Sequence, residues 1–103
     1  MREFWRILYE SGADVVLSAH DHVYERFAPQ DPDGSADPQR GIREFIAGTG
    51  GAPPYAFVDV KPNSEARLSA VGVLKLALKA GGYDWNFIPV SGAGDSGLGR
   101  SCH

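Results

Sequence analysis

DVVLSAHDHVYERFAPQ, residues 14–30, is the stretch on which the reading of the fold turns. Asp14 to Ser18 is a short apolar run with two β-branched valines. Bounded by turn residues, such a run predicts a strand buried on both faces, as in sheets covered by helices. Ahead of it, the first eleven residues predict a helix. Phe4, Ile7, Leu8 and Ser11 recur at helical spacing, and Arg2, Glu3, Arg6 and Glu10 take the other side. Gly12 stands where a left-handed C-cap ends such a helix. Helix, glycine and buried strand make half of an α/β unit, so the expected fold class is α/β. The apolar stripe of the helix needs a cover that the residues before it do not supply. This predicts self-association through uncovered apolar surface.

Ala19-His20-Asp21-His22 follows directly on the strand. Residues two apart in extended chain point to the same side, so His20 and His22 can present both imidazoles to one metal ion or to two neighbouring ions. Loops at the C-terminal ends of strands in α/β sheets are the usual place for binding sites. Neutral imidazole suits zinc and iron. Two exposed loop histidines that happen to be close fit the same spacing equally well, because His-x-His is a short pattern.

Downstream, residues 28–40 (APQDPDGSADPQR) carry three prolines and three aspartates and predict a long exposed loop. Gly41 to Ala47 alternates as a strand and is broken by GTGG at 48–51, and residues 55–60 predict another short strand. Leu74, Leu76 and Leu78 lie opposite Lys75 and Lys79, and Tyr83, Trp85 and Phe87 alternate with Asp84 and Asn86. With Gly81-Gly82 between them, the two runs predict a hairpin. The last thirteen residues, SGAGDSGLGRSCH, predict a flexible Gly/Ser-rich tail, so the domain is expected to span 1–90 and the tail 91–103.

The composition narrows the class. The chain has 103 residues, 43% hydrophobic and 22% charged, with a net charge of −3. That is one ordinary globular domain at most, and its charge is too mild for a nucleic-acid partner. No run approaches the roughly 18 apolar residues of a membrane helix, and MREFWRILYESG has no signal-peptide pattern, which leaves the compartment open. The single cysteine, Cys102, excludes an internal disulfide and leaves either an idle thiol or half of a bridge to another segment.

DVVLSAHDHVYERFAPQ resembles the last signature block of the calcineurin-like metallophosphoesterases, in particular their purple acid phosphatase-like branch. There an apolar strand leads into Gly-His-x-His, then an aromatic followed by Glu-Arg; here Tyr24-Glu25-Arg26 fill the last positions. The resemblance continues through GIREFIAGTGG (41–51), VLKLALKAGGYDWNFIPV (73–90) and the terminal SCH, and so covers nearly the whole chain. It implies the C-terminal part of a two-sheet α/β sandwich: one helix, the buried strand, then mainly antiparallel strands and a hairpin. It further implies a phosphate-ester substrate and a dinuclear centre of iron, zinc or manganese, whose bridging hydroxide attacks the ester. His20 would ligate the second metal and His22 the first. Asp21, Tyr24, Glu25 and Arg26 would support the ligands or face the substrate. A solvated surface charge pair is the plain alternative for Glu25 and Arg26. Relatives are often exported.

Two departures from the pattern stand out. Ala19 replaces the glycine before the first histidine, which matters only if that position needs a positive φ or close approach to a metal. The family's earlier blocks (Asp-x-His, Gly-Asp-x-x-Asp, Gly-Asn-His-Asp/Glu and a lone His) are absent. Two imidazoles fall short of the three or so protein ligands of a catalytic ion, so the chain alone is expected to be an inactive fragment of a phosphoester hydrolase. The competing reading is a non-catalytic, β-rich metal-binding or interaction module.

Other patterns carry less. Gly92-Ala93-Gly94-Asp95-Ser96-Gly97 fits G-x-G-x-x-G but has no helix after it, and its likeness to a protease nucleophile segment lacks the fold a triad needs. The aspartates at 31, 33 and 37 predict a solvated Asp-Gly turn rather than a calcium loop, since position twelve from Asp31 is Ile42. Gly48-Thr49-Gly50-Gly51 can cradle phosphate through its amides, though no helix or lysine follows. Trp5 and Trp85 read as packing residues.

Overall fold

Gly12 closes the first element. Its φ of +85° suits glycine, and it lets Ala13 N–H reach the Leu8 carbonyl (3.0 Å) and Gly12 N–H the Tyr9 carbonyl (3.1 Å). These paired bonds are a Schellman motif, and they end helix α1 (Arg2–Glu10) where its pattern predicts. The structure, a computed structural model, describes residues 2–51, 60–100 and Cys102. The expected strand at 55–60 falls largely outside the described residues, and Val60 itself is not in a strand. No helix among the described residues is long and apolar enough to cross a membrane.

Four strands follow in one sheet: β1 (Val15–Ser18), β2 (Tyr24–Phe27), β3 (Arg43–Ala47) and β4 (Ser64–Leu68). Their order is β1-β3-β2-β4. β3 inserts between β1 and β2, parallel to the first (Leu17 opposite Phe45) and antiparallel to the second (Tyr24 opposite Ala47). A register shift between Arg26 and Phe27 marks the pairing of β2 with β4. β5 (Gly72–Leu78), β6 (Gly82–Pro89) and β7 (Asp95–Arg100) form a second, antiparallel sheet in chain order. The expected hairpin is β5–β6, with Leu76 opposite Trp85.

The described residues thus form a small α/β-type domain with one short helix and two sheets. Tyr24 and Phe45 from the first sheet meet Tyr83, Trp85 and Phe87 from the second in one buried aromatic cluster. Tyr24 stacks on Phe87 with ring centroids 4.3 Å apart, an offset arrangement that adds to the area the rings bury. Val15, Ala47, Leu68, Leu74 and Leu76 pack around this cluster. On the far face of the first sheet, Val23, Phe27 and Ile46 form a smaller cluster.

Three expectations change. β1 is not buried on both faces: it is an edge strand, and Leu17 is 58% exposed because nothing among the described residues covers that edge. Residues 95–100, inside the segment expected as a tail, form β7 and pair along β6 from Phe87–Asp95 to Gly82–Arg100. The boundary at residue 90 therefore cuts through a sheet. The physical reason lies opposite the glycines: a Cβ at Gly97 would overlap the Trp85 ring, and one at Gly99 the Tyr83 ring. Aromatic side chains lie over the bare backbone of β7, the aromatic rescue known for glycine in strands. Finally, the helix meets the rest of the chain through Trp5, Leu8 and Tyr9, while Phe4 and Ile7 of the expected stripe remain exposed. Trp5 Nε1–H donates to the Gln30 carbonyl (3.2 Å) and Tyr9 Oη–H to Asp37 (2.7 Å), so the helix leans on the 28–40 loop.

Candidate functional site

Because β1 and β3 run parallel, the loops that leave their C-terminal ends emerge side by side. One is residues 19–23, with His20 and His22; the other begins at Gly48. They touch through backbone. A Cβ on Gly48 would collide with the carbonyl oxygens of Ala19 and Asp21, and Gly48 N–H donates to the Val23 carbonyl (3.2 Å). Gly48 is therefore required by close approach, and it supports the histidine loop from below. Thr49 is buried and ties its own loop, the one that begins at Gly48, to the second sheet. Its hydroxyl donates to the Gly72 carbonyl (2.9 Å), and Gly72 N–H donates to the Thr49 carbonyl (3.0 Å).

His20 is exposed and His22 half-buried. Ala19 lies outside the left-handed region, since Asn63 (φ 67°) is the sole non-glycine there among the described residues. Its methyl is therefore tolerated by the backbone. His20 and Asp21 line an open cleft of about 740 Å³ together with Ser18, Glu44 and Lys61. Burial raises the Glu44 carboxyl above its ordinary pKa, and the Ser18 hydroxyl and Lys61 offset this only in part. Among the described residues no three His, Cys, Asp or Glu side chains gather closely enough to hold a metal ion. The two imidazoles alone therefore do not fit a resident catalytic ion.

Tyr24 and Arg26 face the aromatic cluster, whereas Glu25, opposite Ile46, lies on the other face of the sheet. Tyr24 and Glu25 are buried, and Ser64 Oγ–H donates to Glu25 (2.5 Å). Glu25 is accordingly not half of a solvated charge pair. Arg26 reaches Asp95 through Nε (2.8 Å) and Nη2 (3.1 Å) and also ion-pairs with Glu65. Tyr24 Oη–H donates to the same carboxylate (2.6 Å), as does Trp85 Nε1–H (3.2 Å). Asp95 thus gathers three side chains from two strands. Arg26 and Arg43 each place a guanidinium over the Trp85 ring, at 4.9 and 4.7 Å from its centroid.

Asp95 escaped the sequence reading because Gly92 to Gly97 reads as a flexible run. Its one available signal was alternation: Asp95, Gly97 and Gly99 occupy every second position, opposite Phe87, Trp85 and Tyr83. The remaining motifs settle into structural roles. Asp31 accepts N–H bonds from Asp33 (2.9 Å) and Ser35 (3.0 Å), which is the expected Asp-Gly turn. The Thr49 hydroxyl is engaged by Gly72, while Gly50 remains exposed beside a cavity of about 430 Å³ shared with Leu17, Ala19 and Val73. Cys102 is free and exposed. No family model, no curated protein and no solved structure matches this chain.

Proposed function

We propose that this chain is the C-terminal part of a metallophosphoesterase of the purple acid phosphatase-like branch, contributing His20 and His22 to a dinuclear iron, zinc or manganese centre that hydrolyses a phosphate ester. The observation that supports the reading is the parallel pairing of β1 with β3. It sets the His-x-His loop and the Gly-Thr-Gly-Gly loop, two segments of the resemblance far apart in sequence, beside each other at the C-terminal ends of two neighbouring strands. The remaining ligands would come from the blocks this sequence lacks, and the chain alone is then a donor of two imidazoles without phosphatase activity.

The second reading is a non-catalytic β-rich module, and both readings expect the absence of a three-donor group among the described residues. One measurement separates the readings, and a second tests the inactivity that both expect. Sequencing the transcript upstream of the Met1 codon should recover Asp- and His-bearing blocks if the chain is part of a hydrolase; unrelated sequence there favours the module. The purified chain, incubated with Zn²⁺, Mn²⁺ or Fe²⁺, should not turn over p-nitrophenyl phosphate. Turnover that disappears in His20→Ala would overturn the view that the chain is inactive alone.

A further inference from the structure

We propose that the chain carries a second site, at the end of β3 away from the histidine loop, that binds a small neutral amide with an apolar body. Arg43 opens β3 and Ala47 closes it beside Gly48, so the two ends of the strand lie on the order of 13 Å apart. At the Arg43 end a cavity of about 340 Å³ opens between the 28–40 loop and the second sheet. Ligand pockets span roughly 300–1,000 Å³ and are mostly apolar, with a few placed polar groups. This one has apolar walls of Ala28, Pro29, Ala36, Pro38 and Leu98. Three polar side chains, Arg43, Glu65 and Tyr83, line the same space.

The walls stand before any ligand arrives. Gln30 bridges to Ala36 and Ile42, Asp31 ties the turn, and Trp5 and Tyr9 of the helix bond to Gln30 and Asp37. A wall fixed in advance lowers the ordering cost of binding. The polar groups have capacity left over. Tyr83 is 7% exposed; its hydroxyl accepts from Arg43 Nε (3.2 Å) but gives its own proton to no described residue. Burial pushes the Tyr83 pKa up, so the proton stays on the oxygen. Arg43 spends Nη1 on the Phe27 carbonyl (2.9 Å) and on Glu65 (2.8 Å), while Nη2 donates to no described residue. Glu65 meets both arginines through Oε1, which leaves Oε2 without a partner among the described residues.

Charge decides the ligand class. Arg26 and Arg43 are matched by Asp95 and Glu65, so these four side chains carry no net charge. A ligand carboxylate would add an uncompensated negative charge beside Glu65. A carbonyl next to an N–H instead uses all three groups: its oxygen accepts from Tyr83 and Arg43, and its nitrogen donates to Glu65. The prolines and Leu98 take the apolar body.

The test titrates the full chain with benzamide and follows amide shifts by nuclear magnetic resonance. Benzoate and toluene serve as the charged and the apolar counterparts. Tyr83→Phe removes the hydroxyl donor. Ala36→Leu narrows the cavity from an exposed loop position and leaves every polar group in place, so it folds even if Tyr83→Phe does not. Near-ultraviolet circular dichroism checks both variants.

The expected result is saturable shifts from benzamide centred on Ala28, Ala36, Leu98 and Gly99, with residues 19–23 unmoved. Affinity should fall roughly threefold or more in Tyr83→Phe, the effect of one lost hydrogen bond. It should fall about tenfold in Ala36→Leu, where the added carbons crowd the ligand. Benzoate and toluene should each bind at least about threefold more weakly than benzamide. Tighter binding of benzoate would overturn the neutral class, and equal binding of toluene would overturn the part given to the polar groups. The site itself is wrong if benzamide gives no saturable shift at these residues, or if its affinity is unchanged in Ala36→Leu.

Discussion

The Arg26 guanidinium and the Asp95 carboxylate meet at two points, Nε to Oδ2 at 2.8 Å and Nη2 to Oδ1 at 3.1 Å, with both side chains 15% exposed. The pair joins β2 of one sheet to β7 of the other, so it acts as a cross-brace between the two sheets. Two-point Arg–carboxylate contacts combine geometric specificity with charge assistance.

Removing one partner of such a pair strands the other. Asp95→Ala leaves the Arg26 charge with Glu65 alone and takes the acceptor from Tyr24 and Trp85. Stability in urea should fall by about 3 kcal/mol. A loss under about 1 kcal/mol would mean that the pair behaves as an ordinary surface bridge.

Acid should act through the same carboxyl. Burial by itself would lift the Asp95 pKa, but hydrogen bonds from Arg26 and Tyr24 outweigh it and hold the group below its ordinary value. A depressed carboxyl pKa adds stability that is present above the unfolded value of about 3.9 and lost as pH falls through the folded one. The urea midpoint of the wild type should therefore drop below about pH 4, and the drop should be shallower in Asp95→Asn. Parallel pH curves for the two proteins would contradict this.

Glu44 works in the opposite direction. Its pKa is raised by burial, so the charged form is disfavoured, and its contribution is most favourable below the unfolded value of about 4.3 and declines as pH rises through the folded one. Glu44→Gln should gain somewhat less than about 1 kcal/mol at pH 7, since the group is only partly shielded from water. The advantage should close near pH 4. Equal denaturation curves at both pH values would refute it.

Glycine in β7 is a packing requirement. Gly97→Ala and Gly99→Ala force a methyl into the Trp85 and Tyr83 rings and should each destabilise by about 1–3 kcal/mol. Gly81→Ala is the contrast: nothing lies within 4 Å of its added Cβ and its φ is not positive, so stability should change by less than about 1 kcal/mol. Thermal melts of the three variants read this directly.

Exposed apolar side chains predict behaviour in solution. Phe4 and Ile7 on the helix and Leu17 on β1 are each more than half exposed, and exposed apolar surface promotes association. Sedimentation velocity should show mass rising with concentration for the wild type and less so for Ile7→Glu combined with Leu17→Lys. Monomer at all concentrations in the wild type would remove the expectation.

Local chemistry alone decided several elements. The i, i+3, i+4 spacing before Gly12 set α1 and its end, because a left-handed glycine satisfies the last carbonyls without any distant partner. Period-two alternation on either side of Gly81-Gly82 set the β5–β6 hairpin, and Asp31 built its own turn. The candidate histidines were visible for the same reason, as neighbours on a strand end. What the chain could not announce locally was partnership. β7 reads as a loose Gly/Ser run until Tyr83 and Trp85 cover its glycines, and Glu25 reads as solvated until Ser64 meets it in the interior. Leu17 reads as core until β1 proves to be an edge. Backbone φ, capping and alternation depend on neighbours in sequence, whereas burial and ion pairing depend on residues that only folding brings near; Asp95, 71 positions from Tyr24, belongs to the second kind.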